Sequence, residues 1–443
     1  MKNKTKALFL GAAALFMSHM ALAQNYYVDN INGDDSNDGM SWATAFKTLR
    51  YLAPNQDFNK WSSMQHPDNN FYIRATAIPY RVVDNTVLIG GIGHYYFDAT
   101  GNGTDRGSDR AKLYGSQAIA YADWNLLSQP SSPVKIYYSQ SPYSTHAITR
   151  AYIDTTQPQR LIEATDLLNI QDQQYYLDDQ NGIYLRSDAE HPGNMNIEWI
   201  ADHDNLQAIE GFYNMSVHGP NLKYFTKGYS QGGCHTIELE NVEASYNARS
   251  GIIFNSGLPE GAVLHDVVAH HNGEHGIVFT GYANTRLYNC VSHHNGGDGI
   301  QLLSGGAENS DAVMSHCSSF NNGGRGVYIE TAHQATGNAT SWTLMNNIAS
   351  GNAAEEFYLA DAQVVPFALF NGWFGSNNAL FEAYPGFSNL VNVDPQFVDA
   401  ANGDYHLSSS SAYISQGVHT VFTADIDGDT RDVNSPDIGA DEF

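Results

Sequence analysis

The sequence predicts an all-β solenoid, in which short strands wind into coils that stack on one another. Three observations carry that expectation. Five segments align on an Asn: Val242–Asn247, Val267–Asn272, Cys290–Asn295, Cys317–Asn322 and Asn347–Asn352. Four residues after that Asn stands Gly251, Gly276, Gly299 or Gly326 (Glu356 in the last copy). An apolar alternation follows: Ile252/Phe254, Ile277/Phe279, Ile300/Leu302, Val327/Ile329 and Phe357/Leu359. The Asn spacings are 25, 23, 27 and 30. A unit of that length cannot bury a core alone, so neighbours must stack, and sequence columns become spatial neighbours.

The elements follow in chain order. Residues 1–23 read as a secretory signal peptide, with basic Lys2, Lys4 and Lys6, an apolar run Ala7–Met17, and the small-x-small site Ala21-Leu22-Ala23. The expected location is therefore secreted, extracellular or periplasmic. Residues 24–132 read as an N-terminal cap and the first coils. The strand Tyr26-Tyr27-Val28 leads into a polar turn from Asn32 to Gly39, and a short helix begun by Thr44–Leu49 would cover the open end of the solenoid. Residues 133–204 read as a small antiparallel β-rich insertion, because Tyr175–Leu185 has the form strand, turn, strand. The regular coils run over 205–362. Residues 363–443, aromatic and rich in Asp and Gly, read as an irregular C-terminal cap segment.

Charge narrows the partners. The chain has 21 Lys and Arg against 47 Asp and Glu, a net −26, or −29 once the three lysines of the leader are gone. Net charge of that sign does not attract nucleic acid or an anionic membrane, so neither is expected as a partner. Cysteine is scarce. Cys290 and Cys317 share a column, where stacked buried thiols are expected and a disulfide is the alternative; Cys234 makes the count odd.

The opening Tyr26-Tyr-Val-Asp29, Gly33–Gly39 and Ala45–Leu49, the Asn-aligned repeats, and the closing Val393–Val398, Gly403–Leu407, Asp425–Asp429 and Pro436–Ala440 together resemble a known family. They are similar to the secreted right-handed parallel β-helix proteins of the pectate-lyase-like superfamily. The resemblance spans most of the chain. It implies a right-handed parallel β-helix with three strands per coil and an Asn ladder at the turn between the second and third strands. Asn247, Asn272, Asn295, Asn322 and Asn352 fit that ladder, since Asn tolerates a left-handed backbone and stacked amides bond along the axis. The fold hosts lyases, hydrolases, esterases, epimerases and adhesins, so it does not choose a reaction.

The resemblance also implies that catalysis, where present, sits on the first-strand face. There the inward column is Val217, Leu239, Leu264, Leu287, Met314 and Leu344, and alternation turns the flanking residues outward. One outward column is His218, Glu240, His265, Tyr288 and Ser315; the other is Ser216, Glu238, Val263, Arg286 and Val313. A carboxylate between two imidazoles favours their charged forms. The candidate catalytic residues are thus His218, Glu240, His265, Arg286 and Tyr288, with a solvated polar ladder as the plain alternative. Tyr328, Glu330 and Tyr358 are candidates for sugar contact. Ser250, His275, Asp298, Arg325 and Glu355 read as stacked ion pairs, and His270-His271 and His293-His294 as stacked repeat positions.

Three function classes remain. A polysaccharide lyase must neutralise a uronate, take its C5 proton and protonate the leaving oxygen. Arg286, or Ca²⁺ on Glu238 and Glu240, would neutralise; His265 and Tyr288 would serve as base and acid. The Glu-x-Glu pair resembles the calcium pair of alginate and dermatan lyases of this fold, yet Ser245 stands where their Lys is expected and Arg286 lies two coils on rather than one. A glycoside hydrolase needs two carboxyl groups, which Glu238 and Glu240 would supply. A non-catalytic carbohydrate-binding surface protein is the third class. Asp425-x-Asp427-Gly-Asp429 and Asp34–Asp38 also offer oxygen ligands of the kind Ca²⁺ takes, with a structural turn as the alternative. The expected partner is a polysaccharide, acted on by a monomer and cleaved by β-elimination.

Overall fold

A computed structural model describes residues 22–53, 57–81, 87–98, 110–128, 131–143, 148–201, 207–231, 236–255, 261–280, 284–303, 311–330, 341–360, 367–375 and 388–443. Residues 1–21, where the leader is expected, Cys234 and most of the variable loops lie outside them. The described chain is an all-β, right-handed parallel β-helix. First strands stack from Asn25–Val28 through Asn70–Arg74, Val87–Asp98, Gln207–His218, Ile237–Glu240, Ala262–His265, Thr285–Tyr288, Asp311–Ser315 and Ser341–Met345 to Phe367–Leu369, all parallel. A separate stack holds the second strands, among them Asn221–Lys223, Glu243–Ser245, Val268–His270 and Val291–His293. The third strands join the first through Val87–Asp98 and Gln207–His218, twelve-residue strands that run from third position straight into first.

The expected columns are the core. Val217, Leu239, Leu264, Leu287, Met314 and Leu344 all point inward and are buried. So are the third-strand pairs from Ile252/Phe254 to Val327/Ile329, and the Phe254 and Phe279 rings stack at 4.4 Å. Cys290 and Cys317 are buried free thiols in one column, as the stacked-thiol reading has it.

The Asn ladder is present and buried. Each Nδ2 donates to the next Oδ1: Asn247 to Asn272 at 2.9 Å, Asn272 to Asn295 at 2.9 Å, Asn295 to Asn322 at 3.0 Å and Asn322 to Asn352 at 2.9 Å. The reason expected for Asn is corrected in one respect. The left-handed residue is the one before it: Tyr246, His271, His294, Asn321 and Gly351 have φ between +51° and +67°. The Asn is there for its amide, and the Gly four residues later is there for space. A Cβ on Gly276 would sit 2.1 Å from Ser292 Oγ and 2.8 Å from Asn295 Nδ2. In the last copy the ladder ends on a carboxylate, Asn352 Nδ2 donating to Glu356 Oε2 at 2.5 Å.

The N-terminal end is closed by short helices. Three-ten turns at Trp42–Thr44 and Leu49–Leu52 precede an α-helix at Phe58–Ser63. Phe46, Leu49, Leu52 and Met64 enter the main core from this cap. The insertion is a seven-stranded sheet that begins at Asn125, ahead of the expected start, and ends with Ile197–Ala201. The hairpin pairs Tyr175 with Leu185 as expected, while Gln159–Glu163 and Gln174–Leu177 run parallel within an otherwise antiparallel sheet. The sheet has its own core around Trp199, Tyr175 and Leu185. It is pinned to the solenoid by Arg81, which donates to both oxygens of Glu198 at 2.7 and 2.6 Å.

The closing segment 388–443 lies along the flank of the coils. Ile426 and Ala440 pack on Val291 and Phe320. Arg431 donates to Asn289 Oδ1, and the Ala440 N–H donates to Ser318 Oγ.

Candidate functional site

The first-strand face carries the expected column in register. His218 stands opposite Glu240, Glu240 opposite His265, and His265 opposite Tyr288; beside them Ser216 faces Glu238, and Val263 faces Arg286. The inward leucines between these positions hold each strand against the core, so the polar side chains project from a rigid sheet. Upstream the same column continues as Tyr96, Tyr72 and Tyr27, whose rings stack at 5.2 and 5.3 Å, and Tyr96 stacks on His218 at 4.8 Å. The ring faces are taken up by one another.

Side chains on this face form a continuous polar relay. His218 Nδ1 lies 2.5 Å from Glu240 Oε2, and His218 Nε2 lies 3.2 Å from Ser216 Oγ. A carboxylate only accepts, so His218 Nδ1–H donates to Glu240, while the direction of the bond between Nε2 and the Ser216 hydroxyl follows the protonation of the ring. The Ser216 oxygen is in turn 2.5 Å from His94 Nδ1. On the other side of Glu240, His265 Nε2 is 3.9 Å from Glu240 Oε2 and 3.6 Å from Glu238 Oε1, while its Nδ1 is 3.4 Å from Asp266 Oδ2.

This arrangement sets charge states. Burial by itself lowers the His265 pKa, but Asp266, Glu238 and Glu240 outweigh it and raise the value to about 9. His265 is therefore an imidazolium at neutral pH. Contact with His265 holds Glu238 below the usual carboxylate range, against the effect of burial. Burial pushes the Tyr288 hydroxyl up, with Arg286 opposing. The Tyr288 ring is covered by Phe422 of the closing segment, ring centres 3.8 Å apart. Arg286 Nη1 donates to the Thr285 carbonyl at 3.0 Å. With its pKa raised to about 9, His265 suits the part of a cation beside Arg286 more than that of a base.

Three residues escaped the sequence reading. His94 lies in a coil outside the aligned repeats; only the alternation of Gly93-His94-Tyr95-Tyr96-Phe97 signals it. Ser216 was placed in the right column without a role. Asp266 sits at the turn after the first strand, with φ +56°, in a column with Asn241, Asn289 and Asn346 that also takes positive φ. That column of Asn and Asp was a usable signal for a left-handed turn.

Other candidates fall elsewhere. Tyr328, Glu330 and Tyr358 lie on or beside the third strands Val327–Ile329 and Phe357–Leu359 of later coils. Tyr328 and Tyr358 stack at 5.6 Å, with the Arg325 guanidinium over both rings. Arg325 also bonds Glu355 and faces Asp298, so this patch is the expected ion-pair column with aromatic cover. It stands on third strands, whereas the His265 cluster stands on first strands. His270 and His293 stack at 4.9 Å, and His271 and His294 at 5.0 Å, as stacked repeats do.

Glu240, His265 and Asp266 each bring one donor atom to within 4.8 Å of the others, and so do His406, Asp427 and Asp441. Ca²⁺ takes six to eight oxygens. Each set has one imidazole and two carboxylates, fewer oxygens than Ca²⁺ takes, and no step below is routed through a metal. Asp425 Oδ1 accepts from the Asp427 and Asp429 N–H groups, which makes that loop a hydrogen-bonded turn. Asp34 and Asp38 likewise accept from the N–H two residues on.

Residues 209–368 match the family described as "Right handed beta helix region". A comparison of the sequence with curated proteins gives no match. Among solved structures the fold is similar to one titled "Glycoside hydrolase", with 9% identity, 87% of this chain and 99% of that one covered, and a TM-score of 0.50. Others are the pectate lyase Pel9A, at 12% identity, 95% and 96% coverage and a TM-score of 0.48, and XylC with xylose, at 12%, 95% and 98%, and 0.46. At these identities the likeness is one of fold.

Proposed function

We propose that the protein acts on a polysaccharide laid along the first-strand face and cleaves it by β-elimination next to a uronate. One observation carries the reading: His265 stands 3.4–3.9 Å from the carboxylates of Asp266, Glu238 and Glu240, on the same sheet face as Arg286 and beside the His218–Glu240 pair. The His265 imidazolium and Arg286 offset the uronate carboxylate, which makes the C5 proton acidic. His218 has its Nδ1–H fixed on Glu240, so its Nε2 takes that proton and Ser216 turns its hydroxyl towards His94. Tyr288, which keeps its proton, delivers one to the departing glycosidic oxygen.

A glycoside hydrolase is the second reading, because Glu238 and Glu240 flank His265 on either side and a carboxyl pair suffices for hydrolysis. The assay that separates them uses uronate-containing and neutral polysaccharides with the secreted form. β-Elimination yields an unsaturated uronate that absorbs in the ultraviolet; hydrolysis yields reducing ends without it; a binder yields neither. Glu240→Gln and His265→Gln are expected to abolish turnover with the fold intact. Full activity in both variants would discard the assignment.

A further inference from the structure

The second-strand face carries a cleft that the chemistry above does not use. Outward positions of its strands place Lys112, Asn221, Glu243 and Val268 in one column and Lys223, Ser245, His270 and His293 in the next. Two walls rise from this floor. One is the turn Thr156–Gln159 of the insertion, and the other is Ala401–Gly403 with Tyr405 and Asp427 of the closing segment. The open cleft between them measures about 890 Å³, a volume within the range of small-ligand sites.

The walls are fixed in place. Tyr152 and Ile200 of the insertion pack with Tyr114, Tyr224 and Tyr246 of the coils, and both Tyr114 and Tyr224 donate to Asp154 at 3.0 and 2.7 Å. Opposite, Phe397 and Tyr405 pack against the cluster of Val291, Phe320, Ile426 and Ala440.

The charges in this cleft divide into committed and uncommitted. Glu243 is held by His270 Nε2 at 3.2 Å and Arg110 at 3.7 Å. Asp427 faces His406 Nε2 at 3.2 Å. Lys112 has no acidic partner among the described residues. Lys223 makes no direct ion pair among them either; its ammonium lies 5.5 Å from the centre of the Tyr246 ring. Burial, with His270 and His294 adding to it, lowers the His271 pKa to about 3, so that imidazole is neutral. In a chain of net −26, Lys112 with no acidic partner among the described residues, and Lys223, which acts on Glu243 without a direct ion pair, stand beside amides and a neutral imidazole in a walled cleft and suit a ligand with one anionic group and many hydroxyls.

We propose that this cleft is a second saccharide site, which takes a short carboxylate-bearing oligosaccharide with its carboxylate on Lys112 and Lys223 and its hydroxyls on Asn221, Gln159 and His271. The choice of a uronate rests on the reading of the first-strand face; the cleft and its charges do not. A second site on the flank would hold a polymer to the enzyme while the first-strand groove works on another stretch of it.

Calorimetry with tri-uronates and a neutral xylotriose tests the proposal on three proteins: the parent, His265→Gln, and the double variant Lys112→Gln/Lys223→Gln. Binding of the tri-uronate is expected in the parent and in His265→Gln. The double variant should bind it about tenfold or more weakly, while its turnover of short substrates stays at the parent level and its turnover of long polymer falls. Added salt should weaken parent binding. Glutamine keeps the length of the stem and the strand position, and the thermal melt of the double variant reports its fold. Equal binding by parent and double variant, equal binding of xylotriose, or no binding by His265→Gln would each overturn the second site. Retained cleft binding in a protein that cleaves no uronate would sink only the reading of the first-strand face.

Discussion

His265 owes its proton to geometry that no single stretch of sequence contains. Glu238 and Glu240 come from the preceding coil, and Asp266 comes from the next residue, turned back by its positive φ. With the folded pKa raised to about 9, the imidazolium contributes stability that is complete below the ordinary histidine value. That contribution fades as pH rises towards 9. Thermal melts of the parent and of His265→Gln are therefore expected to differ most at about pH 6 and to converge above about pH 9. A gap that stays constant across this range would mean that packing rather than charge holds the ring. Turnover should fall over the same alkaline window, since His265 acts as a cation. The column of His218, Glu240, His265 and Tyr288 was legible because alternation along each strand and a near-constant coil length fix it. His94 was not, because the coil that presents it has no aligned repeat.

At the scale of one coil, the Asn turn holds the structure together. Asn295 Oδ1 accepts from the Asn272 N–H and Nδ2 groups, and its own Nδ2 donates to the Ala269 carbonyl and to Asn322. An apolar side chain there leaves a backbone N–H and a carbonyl without partners in a dry interior. Each such group costs about 1–3 kcal/mol. Asn295→Leu should therefore lower the unfolding free energy by about 3 kcal/mol or more, read as a shift of the urea midpoint; a loss under about 1 kcal/mol would show that the ladder is ornamental. The sequence showed which Asn residues stack and which Gly residues clear them. It did not show that the left-handed residue precedes the Asn. His271 and His294 hold that backbone conformation although neither Gly nor Asn stands there, because the ladder bonds on either side over-determine it.

For the whole molecule, two additions to the solenoid matter most, and neither is visible in repeat columns. The insertion and the closing segment both fold onto the coils from far along the chain, through contacts such as Arg81 with Glu198 and Arg431 with Asn289. A terminal segment rich in Asp and Gly reads as an end cap; its place on the flank is set by apolar residues as sparse as Ile426 and Ala440. Deletion of residues 388–443 should uncover Val291, Phe320 and Ile348 and lead to self-association, detected as larger species in size-exclusion chromatography with raised dye binding. A monodisperse truncated protein would show that the flank needs no cover. The ladder also has a direction. In each rung one Nδ2 hydrogen reaches the next Asn towards the C-terminal end and the other reaches a carbonyl of the preceding coil; the row begins at Asn247 Oδ1, which accepts from the Phe225 N–H, and ends on the Glu356 carboxylate. An Asn in the coil after Asn352 could join this row only where residue 356 is Gly, as at the matching position of the four earlier copies, because the Glu356 carboxylate stands in the acceptor place.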